Sequence, residues 1–227
     1  MSRESTAPRA IVFDLDGTLI DSRGDIVAAA RHALAAHGFV APESARLLSF
    51  VGDGARLLLA RAVNLPPDSP ILDPVLTAFL EYYEAHPVDH TRFCEGAEAC
   101  LHTLASLPLA LCTNKPRPTT NAVLAALGLE RFFRVVIAGG DLPAQKPDPA
   151  PLHAIAAAFE LPSAALVMVG DGPQDILAGR RAGARTVGVL GGIQADAQAL
   201  DPARDALIAK LSDLPALLGS WGLRAAG

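Results

Sequence analysis

Asp14 and Asp16 stand one residue apart at the end of the short apolar run Ala10-Ile11-Val12-Phe13, and Gly17 and Thr18 follow them. In an extended chain, side chains two positions apart leave on the same side, so both carboxylates face one way before the backbone turns at Gly17 and Thr18. Like charges held that close call for a positive partner. Carboxylates together with a backbone carbonyl are the hard oxygen ligands that Mg²⁺ prefers. Three further sets carry chemistry: Thr113-Asn114 after a second apolar run, Lys146 in the loop beyond a third, and Asp171 with Asp175 after a fourth. Acids to hold Mg²⁺, a hydroxyl and N–H groups to grip phosphate oxygens, and a lysine to offset charge make a phosphoryl-transfer site. Singly, each set has a plainer reading. Thr113 ends a strand, Lys146 is a solvated loop lysine, and Asp171 and Asp175 are helix-start acids favoured by the macrodipole.

The elements that must position these residues alternate. Ala10–Phe13 reads as a strand buried on both faces of a parallel sheet. Helical spacing follows through Ile26, Ala29, Ala30, Ala33 and Leu34 to a stop at Gly38, and up to about His86 the pattern is helical throughout, with helices starting at Pro42 and covering 56–63 and 72–83. Strands then resume with helices between them. Leu109–Cys112, Val135–Ala138, Leu166–Val169 and Thr186–Leu190 read as strands, 118–127 and a segment through His153, Ile155 and Phe159 as helices, and Pro173 to Gly183 as a helix with proline in its first turn and glycine at its end. On that helix Asp175 lies one turn beyond Asp171, on the same face. A closing helix is expected over 207–218 with Trp221. The class is α/β: a Rossmann-like doubly wound parallel sheet, in which ligands bind beyond the carboxyl ends of the strands, with an inserted all-α block. The expected division is a core of residues 1–20 and 91–227 and a helical cap of residues 21–90.

Composition narrows the function classes. With 227 residues, 51% of them apolar, and a net charge of −5, the chain describes a soluble globular protein, long enough for one sizeable core or for a core domain carrying a smaller inserted one. It has no Lys/Arg run of the kind nucleic-acid binding requires. Met1 to Pro8 is polar without an apolar centre, so it reads as a frayed tail and not as a signal peptide or membrane anchor, and a cytoplasmic location is expected. Cys94, Cys100 and Cys112 form no Cys-x-x-Cys pair or disulfide framework and read as reduced structural thiols. His86 and His90 are four apart, but Pro87 between them breaks the helical geometry a metal pair would need. Composition leaves monomer and homodimer both open.

Asp14-Leu15-Asp16-Gly17-Thr18, Thr113, Lys146-Pro147 and Gly170-Asp171 with Asp175 resemble, in order and across nearly the whole chain, the four motifs of the haloacid dehalogenase superfamily. The insertion between the first two then corresponds to a mobile cap. Asp21-Ser22, Val51-Gly52-Asp53-Gly54 with Arg61-Ala62, Thr113-Asn114-Lys115-Pro116 and Gln145-Lys146-Pro147-Asp148-Pro149 are similar to bacterial phosphoglycolate phosphatases. The resemblance implies Asp14 as nucleophile, Asp16 as the acid and base that serves leaving group and water, and Thr113 and the Asn114 N–H on the phosphoryl group, neutralised by Lys146. It implies Mg²⁺ on the Asp14 side chain, the Asp16 carbonyl and Asp171, with Asp175 orienting metal-bound water or Lys146.

Within the superfamily, the second acid Asp16 argues against dehalogenation. The three lysines, Lys115, Lys146 and Lys210, all lie outside the insertion, which excludes a cap-lysine Schiff base. Ile26 stands where a mutase-type cap supplies histidine. What remains is a Mg²⁺-dependent phosphatase for a small phosphorylated metabolite, with 2-phosphoglycolate first. A sugar or amino-sugar phosphate such as N-acetylmuramate 6-phosphate is the alternative, ahead of a sugar phosphomutase or a non-catalytic phosphometabolite-binding protein. Gly52 and Gly54 let backbone approach the substrate, and Arg56 or Arg61 would meet a substrate carboxylate. Gly172 in place of a hydroxyl residue, Cys94-Glu95-Gly96 in place of Pro-Gly, and the lack of aromatics in Gly191-Gly192-Ile193-Gln194 depart from the family pattern.

Overall fold

The computed structural model describes residues 7–193 and 204–225. Most of the Met1–Pro8 tail, and Gln194, lie outside the described residues. In chain order the elements are β1 (Ala10–Phe13), β2 (Ile20–Asp21), α1 (Arg23–Ala36), α2 (Ser44–Leu48), α3 (Ala55–Val63), α4 (Leu72–Ala85), β3 (Arg92–Phe93), α5 (Ala97–Leu104), β4 (Leu109–Pro116), α6 (Arg117–Leu127), β5 (Val135–Gly139), α7 (Ala150–Ala158), β6 (Leu166–Gly170), α8 (Pro173–Ala182), β7 (Arg185–Val189), β8 (Ala206–Ile208) and α9 (Leu214–Ser220).

Six strands form a parallel sheet in the order β5-β4-β1-β6-β7-β8. β1 is central and buried along its whole length. Successive side chains alternate between faces: Ile11 and Phe13 enter one apolar core, Ala10 and Val12 the other, where Ala110, Leu152, Ile155 and Met168 meet them. Phe13 pairs with Leu111 of β4 and Val169 of β6, so the next residues of all three strands emerge side by side at one sheet edge. The chain runs from β1 outward through β4 and β5, then crosses back to β6 on the other side. That reversal places the ligand crevice of a doubly wound sheet at the end of β1.

Between β2 and β3 the chain is helical, as the spacing predicts. α1 and α4 pack side by side, and their buried residues join the same core as Ile11 and Phe13. β2 and β3 pair antiparallel, Ile20 opposite Phe93 and Asp21 opposite Arg92, so the chain enters and leaves this block through adjacent strands. Asp25, in the first turn of α1, is buried and accepts from the His90 N–H at 3.0 Å, the Thr91 N–H at 2.8 Å and the Thr91 hydroxyl at 2.6 Å. It braces the start of the insertion against its end.

The structure corrects three expectations. β4 continues past Cys112 to Pro116, with a register shift against β5 across Thr113-Asn114-Lys115; such an irregularity re-aims side chains beside a site. Residues 207 and 208 belong to strand β8 on β7 and not to the closing helix, which begins at Leu214 with Pro215 in its first turn. Asp171 lies before α8 and not on it, so its proximity to Asp175 comes from the loop and not from a shared helix face. Among the described residues no helix is long and apolar enough to cross a membrane.

Candidate active site

Asp14 directly follows β1, and its N–H donates to the Val169 carbonyl of β6 at 2.9 Å, which fixes it at the centre of the sheet edge. Gly17 turns the chain with φ +92°, a left-handed value that favours glycine. A Cβ there would lie 2.2 Å from Asp171 Oδ2, and one at Gly192 would lie equally close to the same atom. The two glycines thus form a cradle for the Asp171 carboxylate, which also accepts from the Thr18 hydroxyl at 3.2 Å.

Oxygen atoms of Asp14, Asp171 and Asp175 lie within 4.8 Å of one another, all buried. Lys146 reaches them from the loop after β5. Its Nζ donates to Asp14 Oδ1 at 2.6 Å, Asp175 Oδ1 at 2.6 Å and the Cys112 carbonyl at 2.5 Å, which uses all three ammonium hydrogens. Asp175 accepts the Gly172 N–H at 3.0 Å on its other oxygen, closing the start of α8. Asp175 therefore anchors Lys146 rather than facing outward.

Burial pushes the Asp14 carboxyl well above the usual carboxylate range, Lys146 pulls it back, and Asp175 and Asp171 push it up again. Burial works against the charge on Lys146, but Asp14 and Asp175 more than restore it and hold its pKa above the ordinary lysine value. Ionised together, the three carboxylates would exceed the one ammonium by two negative charges, which is why Asp14 holds its proton unless a cation offsets them. The donors are all oxygens, which is the chemistry of a hard dication such as Mg²⁺.

Above this cluster lies a cavity of about 50 Å³, lined by Asp14, Asp16, Thr113, Asn114 and Lys115 from the core and by Gly52, Gly54, Leu58 and Phe79 from the insertion. Thr113 Oγ1 accepts the Lys115 N–H at 3.1 Å. Asn114 Nδ2 donates to the Gly52 carbonyl at 2.9 Å and the Lys146 carbonyl at 2.8 Å, and Gln145 Nε2 donates to the Asp53 carbonyl at 2.8 Å, so the glycine-spaced loop rests on the core. A Cβ at Gly54 would stand 3.3 Å from the Asn114 carbonyl.

Asp16 lines the same cavity as Asp14, and two neighbours hold its side chain. Ser22 Oγ donates to its Oδ1 at 2.6 Å, and Lys115 Nζ lies 3.1 and 3.3 Å from its two oxygens. Lys115 also donates to the Tyr83 hydroxyl of α4 at 2.8 Å. Burial opposes the Lys115 charge, and Asp16 with Tyr83 more than offsets it, leaving the pKa raised.

Arg56 and Arg61 are not brought to the cavity. Arg56 donates to the Pro67 carbonyl at 2.6 Å, Asp73 at 2.8 Å and the Ser69 carbonyl at 3.3 Å, and Arg61 pairs with Asp53 at 2.7 Å. Both are spent inside the insertion.

Sequence reasoning placed Ser22 and Lys115 within family-like motifs but gave neither a role, and it gave none to Tyr83 or Gln174. Tyr83 falls at the spacing of the buried apolar residues of α4, so it reads as core. Gln174 lines the cavity, and its amide lies 2.2 Å from where a Cβ at position 172 would stand, filling space that Gly172 leaves. The signal for Lys115 was its place in Thr113-Asn114-Lys115, next to residues already singled out.

Comparison with known proteins adds an independent observation. A family profile for haloacid dehalogenase-like hydrolases matches residues 11–189. The chain is 35% identical over 227 residues to a phosphoglycolate phosphatase of Pectobacterium atrosepticum, covering 95% of this chain and 94% of that one. It is 39% identical over 180 residues to a phosphoglycolate phosphatase of Cereibacter sphaeroides, covering 77% and 82%. A crystal structure of a predicted phosphoglycolate phosphatase from Haemophilus somnus superposes with TM-score 0.86 at 27% identity, over 93% of this chain and 98% of that one.

Proposed function

The chain belongs to the haloacid dehalogenase-like hydrolases, and on that premise we propose that it is a Mg²⁺-dependent phosphatase that cleaves 2-phosphoglycolate to glycolate and phosphate. Within the family it is a phosphoric monoester hydrolase. The observation that carries the reading is the placement of Asp14, buried at the end of β1 within 2.6 Å of Lys146 and at the floor of a cavity that Asp16 also lines.

In this reading an Asp14 oxygen attacks phosphorus, forming an aspartyl-phosphate while the bond from phosphorus to the leaving oxygen breaks. Asp16 gives that oxygen a proton, then takes one from the water that hydrolyses the aspartyl-phosphate. The Thr113 hydroxyl and the Asn114 N–H hold phosphoryl oxygens. Lys146, oriented by Asp175, offsets their charge. Asp14, Asp171 and the Asp16 carbonyl, backed by Asp175, are the groups that would hold Mg²⁺, which supplies charge neutralisation when bound.

Residues 21–90 act as a cap and residues 1–20 with 91–227 as the core; the bonds from Asn114 to Gly52 and from Gln145 to Asp53 support that division by marking where one rests on the other.

The test is a panel of phosphomonoesters with purified protein and Mg²⁺, ranking 2-phosphoglycolate against sugar phosphates and N-acetylmuramate 6-phosphate by kcat/KM. Phosphoglycolate is expected first, and a sugar ester above it overturns the substrate. Asp14→Asn is expected to abolish turnover while the protein stays folded. Turnover that survives this change overturns the mechanism.

A further inference from the structure

Among the described residues that line the cavity, Lys115 is the one that carries a positive charge, and the reaction as proposed gives it no task. Lys146 is saturated by its three acceptors, and Arg56 and Arg61 are held within the insertion. The insertion lines the same cavity with Ile26, Val51, Leu58 and Phe79, side chains that offer no hydrogen bond to sugar hydroxyls. The Lys115 ammonium has Tyr83 on one side, through both the hydroxyl at 2.8 Å and the ring at 4.0 Å, and Asp16 on the other.

The partner on that second side is the difficulty. Asp16 has to reach the bridging oxygen of the ester, yet Lys115 and Ser22 hold its carboxylate. Removing a buried ammonium from a carboxylate is costly unless another anion takes its place. A carboxylate on the substrate does this without changing the charge around Lys115. The contacts of Lys115 to both Asp16 oxygens are exchanged for contacts to the ligand, no covalent bond changes, and Asp16 is left with the neutral Ser22 contact alone.

We propose that Lys115 determines specificity by binding a carboxylate on the leaving group, and that in doing so it releases Asp16 towards the ester oxygen. This rests on the phosphatase reading and names its substrate class: a short hydroxy acid phosphorylated on the hydroxyl. The anionic tail then contributes to turnover as well as to binding, because an ester with a neutral tail leaves Asp16 engaged.

The experiment compares 2-phosphoglycolate with ethyl phosphate, which has the same carbon count and no carboxylate, in the wild type, Lys115→Gln and Lys115→Arg, with Mg²⁺ present. The wild type is expected to favour phosphoglycolate in kcat as well as kcat/KM. The ratio of the two kcat/KM values should fall roughly tenfold or more in Lys115→Gln, the loss expected for one partner of a buried charge pair, and recover in part in Lys115→Arg. A fold defect would lower both substrates and leave the ratio in place. Inhibition of the wild type needs no variant: glycolate is expected to compete with substrate and glycolamide not to. A ratio unchanged in Lys115→Gln, or equal inhibition by glycolate and glycolamide, overturns the inference while the phosphatase reading stands. A wild type that hydrolyses sugar phosphates in preference to phosphoglycolate overturns the substrate reading itself.

Discussion

Lys146 Nζ stands 2.6 Å from Asp175 Oδ1, with neither side chain reaching solvent. Since the other Asp175 oxygen holds the Gly172 N–H, the lysine is fixed to the start of α8 before any ligand arrives. Asp175→Ala leaves a buried ammonium with one carboxylate fewer and an orphaned N–H. Breaking such a pair costs about 3–5 kcal/mol, so the melting temperature should fall by roughly 6–20 °C for a chain of this size. Calorimetry checks the first effect. Loss of kcat in variants that remain folded checks that the anchor serves catalysis, and a fully active Asp175→Ala would count against it.

Stability without Mg²⁺ should depend on pH through Asp14. Its folded-state carboxyl is raised by burial, so above the usual carboxylate range the folded chain keeps a proton that the unfolded chain has lost. Stability therefore declines as pH rises from that range through the folded-state value. Mg²⁺ competes with the proton, and its stabilising effect should grow with pH. Thermal melts from acid to mildly alkaline buffer, with and without Mg²⁺, read both trends, and Asp14→Asn should flatten them. A Mg²⁺ effect of constant size across that range would contradict the assignment.

Gly192→Ala places a methyl group 2.2 Å from Asp171 Oδ2, too close for both to stay. The carboxylate must shift, and the Mg²⁺ concentration needed for half-maximal activity should rise about tenfold or more, in line with disturbed ligand orientation. Titration of activity with Mg²⁺ measures it. An unchanged requirement would remove Asp171 from the metal site.

Asp25→Ala strips the acceptor from three donors, the N–H groups of His90 and Thr91 and the Thr91 hydroxyl. Leaving buried donors unpaired costs about 1–3 kcal/mol each, partly recovered by water. Urea denaturation should show the loss, and hydrogen exchange should show faster exchange at Thr91 than in the wild type. Protection unchanged at Thr91 would mean that the brace is dispensable.

The residues that meet at the sheet edge were legible because each follows a short apolar run, and parallel strands deliver their carboxyl ends to one side. Asp14, Thr113, Lys146 and Asp171 needed no long-range information beyond that rule. The partners of Asp16 did not follow from it: Asp16 lines one cavity with Asp14, but that Ser22 and Lys115 hold its carboxylate is not written in the strand pattern. Arg56 looked available because its acceptors, the carbonyls of Pro67 and Ser69, carry no side-chain signature. The two-residue strands β2 and β3 are too short to show alternation, and β8 was hidden in a run whose apolar spacing also suits a helix. In that run, pairing with β7 outweighed local propensity.

The β2–β3 ribbon has a consequence for how this architecture changes over generations. With Ile20 opposite Phe93, both ends of the intervening stretch meet at one spot, so that stretch hangs from the sheet as from a two-stranded stalk. Lengthening, trimming or exchanging it leaves every ladder of the six-stranded sheet uncut. What such a change would disturb is the set of side-chain contacts across the seam, Ser22 with Asp16, Tyr83 with Lys115 and Gly52 with Asn114, and not the backbone scaffold beneath them.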